Sequence, residues 1–317
     1  MTAEAAPTTT ADAWQRVSAV VVTHHSAAVI EACLQSILPA VHILVIDNAS
    51  RDDTAERVAG TAPDAKITRN STGIGYGNAA SQGLAAVETE FVLLVNPDAV
   101  VEPDAITHLV AAADAYPDGV LFGPTIVNPD GSIEPNHDVK LFDRRIYAPH
   151  SAESHPAGPC CAEFLSGAVH LLRMSAYREI GPFDPKFFLY YEDDDYCLRL
   201  RDAGFNLIMV PDAVVSHIGG GSVRPSLHYH WEKYWHMAWS RQYLEEKYRG
   251  RAACRRLTRA YLLHFGGKAI GHALTLHGAR AWQNLARTFG TAGYALGIPA
   301  SRTTRPARPD NSLDKPR

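Results

Sequence analysis

No apolar run in this chain reaches the roughly 18 residues that a bilayer-spanning helix needs. Cysteine is scarce: Cys33, Cys160, Cys161, Cys197 and Cys254 make an odd number with no CxxC spacing. A reduced, cytoplasmic protein is therefore expected rather than one built on disulfides or zinc. Met1 to Asp12 is small and polar, without the charged start and apolar middle of a secretory signal, and residues 1–14 are expected to form a flexible N-terminus. No GK[ST] follows the glycines at 73, 75 and 77, which excludes a P-loop. No recognised nucleic-acid motif accompanies the basic residues, so nucleic acid is not an expected partner.

What is present is a composition with 46% hydrophobic and 20% charged residues over 317 positions, enough for one large or two ordinary domains with a real core. The net charge of -4 hides an asymmetry. From Arg224 to the end there are 17 Lys+Arg and 5 Asp+Glu, a net of +12, which leaves -16 for the residues before it. An acidic front and a basic back suggest two jobs.

The front alternates short apolar runs with helical patterns. Val17–Thr23, His42–Ile46, Lys66–Thr68 and Phe91–Val95 read as strands, the longer ones buried on both faces. Helices are expected from a Ser26 cap through Leu38, from about Asp52, from the glycine-rich 73–77 segment through Val87, and over Pro103–Ala115. Such alternation predicts βαβ units in a doubly wound, mostly parallel sheet, whose ligands bind beyond the carboxyl ends of the strands. Three of those ends carry polar clusters: Thr23-His24-His25, Asp47-Asn48 and Asn96-Pro97-Asp98. The glycines at 73, 75 and 77 fit either a loose phosphate loop or a tight turn. Further on, Asn128-Pro129-Asp130-Gly131 signals a hairpin, His137–Pro159 reads as a long loop, and Cys161–Arg173 reads as one strand interrupted at Ser166-Gly167. A strand at Leu207–Val210 and another over Ala213–Ile218 are expected, the second bringing His217 to a strand end.

One stretch stands apart. In Phe187–Phe205 an aromatic run is followed by four acids, Glu192 to Asp195, and then by a helical pattern closed by Gly204. Carboxylates favour a helix start, so an N-cap is one reading. The other is a general base, because a carboxylate among apolar rings can have its pKa raised. From His228 onward the chain reads as helical, dense in aromatics and cations. That pattern fits either a helical subdomain with a solvated basic face or an interfacial set resting on an anionic membrane.

Taken in order, VVVTHHSAAVIEACLQSI, ILVIDNASRDDT, FVLLVNPDAVVEPDAI, GPTIVNPDGSI, the 164–205 segment and VPDAVVSHIGGGS resemble the family 2 glycosyltransferases of GT-A fold, in their rhamnosyltransferase-like branch. The resemblance implies a GT-A domain over 15–225, with a nucleotide-sugar half to about 118 and an acceptor half beyond it. A helical basic region over 226–298 and a disordered tail over 299–317 would follow. It implies that Thr23, Asp47, Asn48, Asn96, Asp98 and Gly167 line the donor site. Asp98 and His217 would hold Mg²⁺ or Mn²⁺, and Asp193 of the Glu192-Asp193 pair would be the catalytic base. Only one acid stands in Asn96-Pro97-Asp98, where the family often has two or three, and His24-His25 replaces a more usual Tyr-Asn. The implied activity is inverting transfer of one sugar, rhamnose from dTDP-rhamnose being the expected case. The acceptor would be lipid-linked or a cell-surface polysaccharide, at the inner face of the plasma membrane. Two other readings share the layout: a nucleotidyltransferase that makes nucleotide-sugars, and a non-catalytic nucleotide-sugar-binding subunit.

Overall fold

Strands whose side chains are apolar on both faces need cover on both faces, and the chain supplies it. The structure, a computed structural model, describes residues 9–138, 155–165, 167–217 and 226–301. The first part runs α1 (Thr10–Trp14), β1 (Val17–Thr23), α2 (Ile30–Ile37), β2 (Ile43–Asp47), α3 (Thr54–Thr61), β3 (Lys66–Arg69), α4 (Tyr76–Leu84), β4 (Phe91–Val95), β5 (Ala99–Val101) and α5 (Ala105–Ala115). Next come β6 (Gly119–Val127), β7 (Ile133–Glu134), β8 (His137–Asp138), β9 (Cys160–Ala162), β10 (Phe164–Leu165), β11 (Val169–Arg173), α6 (Met174–Ile180), α7 (Glu192–Asp202) and β12 (Asn206–His217). Two long helices close the series, α8 (Leu227–Leu274) and α9 (Gly278–Ala295).

The main sheet has the order β3-β2-β1-β4-β11-β6-β12-β5. The first four strands are parallel, as the βαβ pattern predicts. Strand β11 then runs antiparallel to both β4 and β6, and β12 returns parallel to β6. The sheet is thus mixed, with a parallel N-terminal half. Alternation along β1 divides the core: Val17, Ala19 and Val21 pack under α1, α2 and α5, while Val20 and Val22 pack under α4, with α6 and α7 on the same side.

Several expectations are corrected. The stretch expected to be flexible over residues 1–14 contains α1, because Ala13 and Trp14 bury against the core and Thr10 Oγ1 accepts a hydrogen bond from Thr107 Oγ1 at 3.0 Å. Helix α2 starts at Ile30, not at Ser26, whose hydroxyl instead accepts from the backbone N–H of His24 at 3.2 Å. The single interrupted strand expected over Cys161–Arg173 is three short ones with different partners: β9 on β12, β10 on β8 and β11 between β4 and β6. The two strands expected at 207–218 are one, bent by a register shift between Val210 and Val214. Most of the long loop, at 139–154, lies outside the described residues, as do Ser166, the 219–222 glycine cluster and the tail from 302.

The C-terminal helices attach to the acidic front. Leu244 joins the core cluster of α4, α6 and α7, Ser240 Oγ donates to Leu189 O at 2.9 Å, and Tyr243 OH donates to Asp184 at 2.9 Å. Helix α8 breaks at Gly250, where φ is 80° and ψ 169°. Beyond the break the chain folds back on itself: Thr258 Oγ1 donates to Gln242 Oε1 at 2.8 Å, and the Cys254 thiol donates to Gln242 O at 3.4 Å. Helix α9 then lies against α8 so closely that a side chain at Gly290 would strike Trp235 O at 2.2 Å.

Candidate active site

Parallel pairing of β1 with β2 sets Thr23 opposite Asp47 at the carboxyl edge. Their side chains meet there, with Thr23 Oγ1 donating to Asp47 Oδ1 at 3.4 Å. Asp47 Oδ1 also accepts from the N–H of Ser50 at 3.1 Å, and Oδ2 faces Arg69 Nε at 3.2 Å. Asn48 ties this edge to the glycine-rich segment: its Oδ1 accepts from the N–H of Ile74 at 3.0 Å and its Nδ2 donates to Gly75 O at 3.4 Å. His24 Nδ1 lies 2.8 Å from Asn48 O, and burial holds its imidazole below the usual histidine range. The glycine segment is a packing turn. Gly75 has φ 91°, and a Cβ there would lie 2.3 Å from Phe188 O.

Asp98 follows β4 and is buried. His217, the last residue of β12, brings Nε2 to 3.3 Å from Asp98 Oδ1, while its Nδ1 lies 3.1 Å from Glu134 Oε2. The two hydrogen bonds, that to Asp98 first, push His217 up to about 10. Glu134 and Asp98 bond opposite ring nitrogens, so the three do not converge on one point. Among the described residues no group of three His, Cys, Asp or Glu side chains is arranged to hold a metal. What remains is one carboxylate oxygen and one imidazole nitrogen aimed at each other. A cation whose other ligands are phosphate oxygens and water could use both groups only by displacing the proton that His217 holds between them.

The acids of 192–195 do not serve as an N-cap. The N-cap residue is Tyr191, and no side chain caps the helix. Tyr190 and Tyr191 both take left-handed backbone, with φ 66° and 68°, a conformation that costs a non-glycine residue about 1–3 kcal/mol. That turn sets the direction of α7, and its acids take separate tasks. Asp193 Oδ2 accepts from the N–H of Gly167 at 3.0 Å, and a Cβ at Gly167 would stand 3.2 Å from that oxygen. Asp195 is fully buried and held by Lys247 Nζ, by Tyr248 OH at 2.8 Å and by Arg199 Nε at 3.1 Å. Glu192 is buried, its Oε2 unpartnered among the described residues, and burial, with Asp193 beside it, pushes its carboxyl well above the usual range. The rise that sequence reasoning attached to the acid cluster as a whole falls on Glu192.

Asp98 and Asp193 both act on one side chain, Tyr76. The N–H of Asn96 donates to Ala168 O at 2.9 Å, next to the Gly167 that holds Asp193. The Tyr76 phenol is 3.5 Å from Gly167 O, and its pKa is raised by burial first and then by Glu192, Asp193 and Asp98. Tyr76 and Glu134 were not found by sequence reasoning. Glu134 meets His217 through the β6–β7 hairpin register, which pairs it with Ile126, and nothing in the spacing of 134 and 217 signals that contact.

The Glycosyl transferase family 2 description matches residues 18–181, just over half of the chain. The N-acetylglucosaminyl-diphospho-decaprenol L-rhamnosyltransferase of Mycobacterium tuberculosis H37Rv is 29% identical over 203 residues, 56% of this chain. The chain spans 66% of that relative's length, just under two thirds. The pre-mycofactocin glycosyltransferase of the same organism is 28% identical over 189 residues, 57% of this chain and 38% of the relative. Among solved structures, the mannosyltransferase PcManGT from Pyrobaculum calidifontis, in complex with GDP-Man and Mn²⁺, aligns with a TM-score of 0.51 and 22% identity over 92% of this chain and 77% of that one. That likeness concerns the fold, which is GT-A with added C-terminal helices. With the matched segment ending at 181, just short of the Asp193 turn, the chain belongs to glycosyl transferase family 2.

Proposed function

We propose that the protein is an inverting, metal-dependent glycosyltransferase that moves one sugar from a nucleotide-sugar to a lipid-linked acceptor. The observation that carries this reading is that Asp98, paired with His217, and Asp193, held by Gly167, both act electrostatically on the buried phenol of Tyr76. Thr23 and Asp47, at the ends of adjacent strands, stand where the nucleoside of the donor would lie. A divalent cation held by Asp98 and His217 would stabilise the charge growing on the departing diphosphate. Asp193, aligned by the N–H of Gly167, takes the proton of the acceptor hydroxyl. A single displacement from the face opposite the diphosphate inverts the anomeric centre, and Glu192, buried with its carboxyl pushed above the usual range, is poorly suited to be a second nucleophile.

Rhamnose from dTDP-rhamnose is the proposed donor, by likeness to the rhamnosyltransferase relative, whose name also supports a polyprenyl-diphosphate acceptor. No described helix is long and apolar enough to cross a membrane. Attachment would instead use the far end of the α8–α9 pair, where Leu263, Ile270, Leu274 and Leu276 are exposed among Arg256, Lys268 and Arg280. The test is a transfer assay with nucleotide-sugars and a polyprenyl-diphosphate-linked acceptor, with Mn²⁺, Mg²⁺ or chelator. Transfer that needs the cation and yields the inverted anomer is expected. Transfer with retention, or diphosphate release from a nucleoside triphosphate without transfer, would defeat the proposal. For the membrane, Arg256→Glu with Arg280→Glu should weaken binding to anionic vesicles, and unchanged binding would refute that part.

A further inference from the structure

A cavity with a distinct chemistry lies away from the proposed transfer site. It has a volume of about 810 Å³ and sits where the Pro185–Lys186 loop, the bend of α8, and residues following α9 meet. One wall is apolar and aromatic, formed by Trp239, Tyr243, Tyr294 and Ile298. Trp239 is fixed in that wall by its Nε1–H, which donates to Ile298 O at 2.8 Å. The lining is also cationic: Lys186, Arg251, Arg255 and Arg259 contribute to it, against one carboxylate, Glu246. Glu246 is already engaged, accepting from Tyr294 OH at 2.7 Å and from Arg251 Nε at 3.3 Å. Arg255 and Arg259 stand one helical turn apart and have no acidic partner among the described residues.

We propose that this cavity binds a phosphate or diphosphate borne on an apolar chain. Two guanidinium groups at that spacing can grip the oxygens of a diphosphate in charge-assisted hydrogen bonds. The aromatic wall beside them buries the first segment of an apolar stem, as a pocket with one polar end and one apolar end requires. The break at Gly250 is what makes the site, because it turns Arg255 and Arg259 back over Trp239 and Tyr243. The chain's own residues 302–317 are a poor occupant, since they carry five cations and two acids. The ligand is therefore an external anion, and its apolar part distinguishes a lipid phosphate from free phosphate. Such a site would hold an anionic lipid beside the catalytic domain, and its occupancy is measurable without donor or turnover.

The experiment uses the full-length protein and follows Trp fluorescence and calorimetric heat on titration with farnesyl diphosphate and, separately, inorganic diphosphate. Farnesyl diphosphate is expected to bind at least about tenfold more tightly than inorganic diphosphate, since its stem adds buried apolar area. Arg255→Ala with Arg259→Ala, both exposed positions, should weaken that binding by about tenfold or more while the melting temperature stays unchanged. Deleting 302–317 should leave the affinity as it was. Equal binding of the two probes would refute the apolar half of the site. Undiminished binding by the double variant would refute its cationic half. Binding that appears only after the deletion would show that the tail is the occupant and overturn the proposal. Failure in any of these arms leaves the transferase reading standing, because the transfer assay involves none of these residues.

Discussion

The two sides of the proposed site are built in opposite ways. The donor side rests on regular structure: parallel register alone sets Thr23 beside Asp47, and their polar atoms are occupied by Ser50, Arg69 and each other. The Asp193 side rests on irregular backbone, with two left-handed tyrosines, a glycine pressed against Phe188, and a glycine pressed against the carboxylate itself. A regular edge tolerates substitution because many bonds share its position. An irregular one depends on single atoms, and the difference should show in how each side fails.

The largest effect without chemical change to an acid is expected at Gly167. A Cβ 3.2 Å from Asp193 Oδ2 must displace the carboxylate, so Gly167→Ala should lower kcat by roughly 10- to 100-fold through misplacement, with little change in donor Kd. An unchanged kcat would show that Asp193 does not need this alignment. Gly75→Ala should fail differently. Its Cβ meets a backbone oxygen at 2.3 Å, and the positive φ adds strain, so stability should drop by on the order of 3 kcal/mol, read as a fall in Tm.

On the donor side, Asn48→Ala removes the acceptor of the Ile74 N–H and should cost about 1–3 kcal/mol, while kcat falls less than in Gly167→Ala. The reverse ranking of the two kcat values would erase the contrast between the sides. The smallest effect is one of pH. Glu192 has its carboxyl raised in the folded protein, whereas in the unfolded chain it ionises near about 4.3. As pH rises above that value the unfolded state gains charge that the folded state refuses, so native stability falls until the folded pKa is reached. Glu192→Gln should therefore raise Tm near neutral pH and not at pH 4, a difference that thermal melts at the two pH values would reveal.

Much of this contrast explains what the sequence made legible. Strands β1, β2 and β4 were readable because burial on both faces leaves an unbroken apolar run, and the carboxyl-edge rule then located Thr23, Asp47 and Asp98. Helix α7 and its acids were readable from composition. The division of labour among those acids was not, because it depends on residues far away in sequence: Gly167 for Asp193, and Lys247 and Tyr248 for Asp195. The positive φ at Tyr190 and Tyr191 has no sequence signal, since tyrosine is not a residue that favours it. The Gly250 break was equally hidden within a run of good helix formers, and it shows in the backbone of Gly250 and the return of Cys254 and Thr258 to Gln242.

The central claim, that a carboxylate faces the departing diphosphate across one shared cleft, is tested most directly by Asp193→Asn. Single-turnover transfer should fall by ~10²–10⁴, while the nucleotide-sugar still raises the Tm as it does for the unaltered protein. Transfer at the original rate, or loss of donor binding together with transfer, would contradict the assignment.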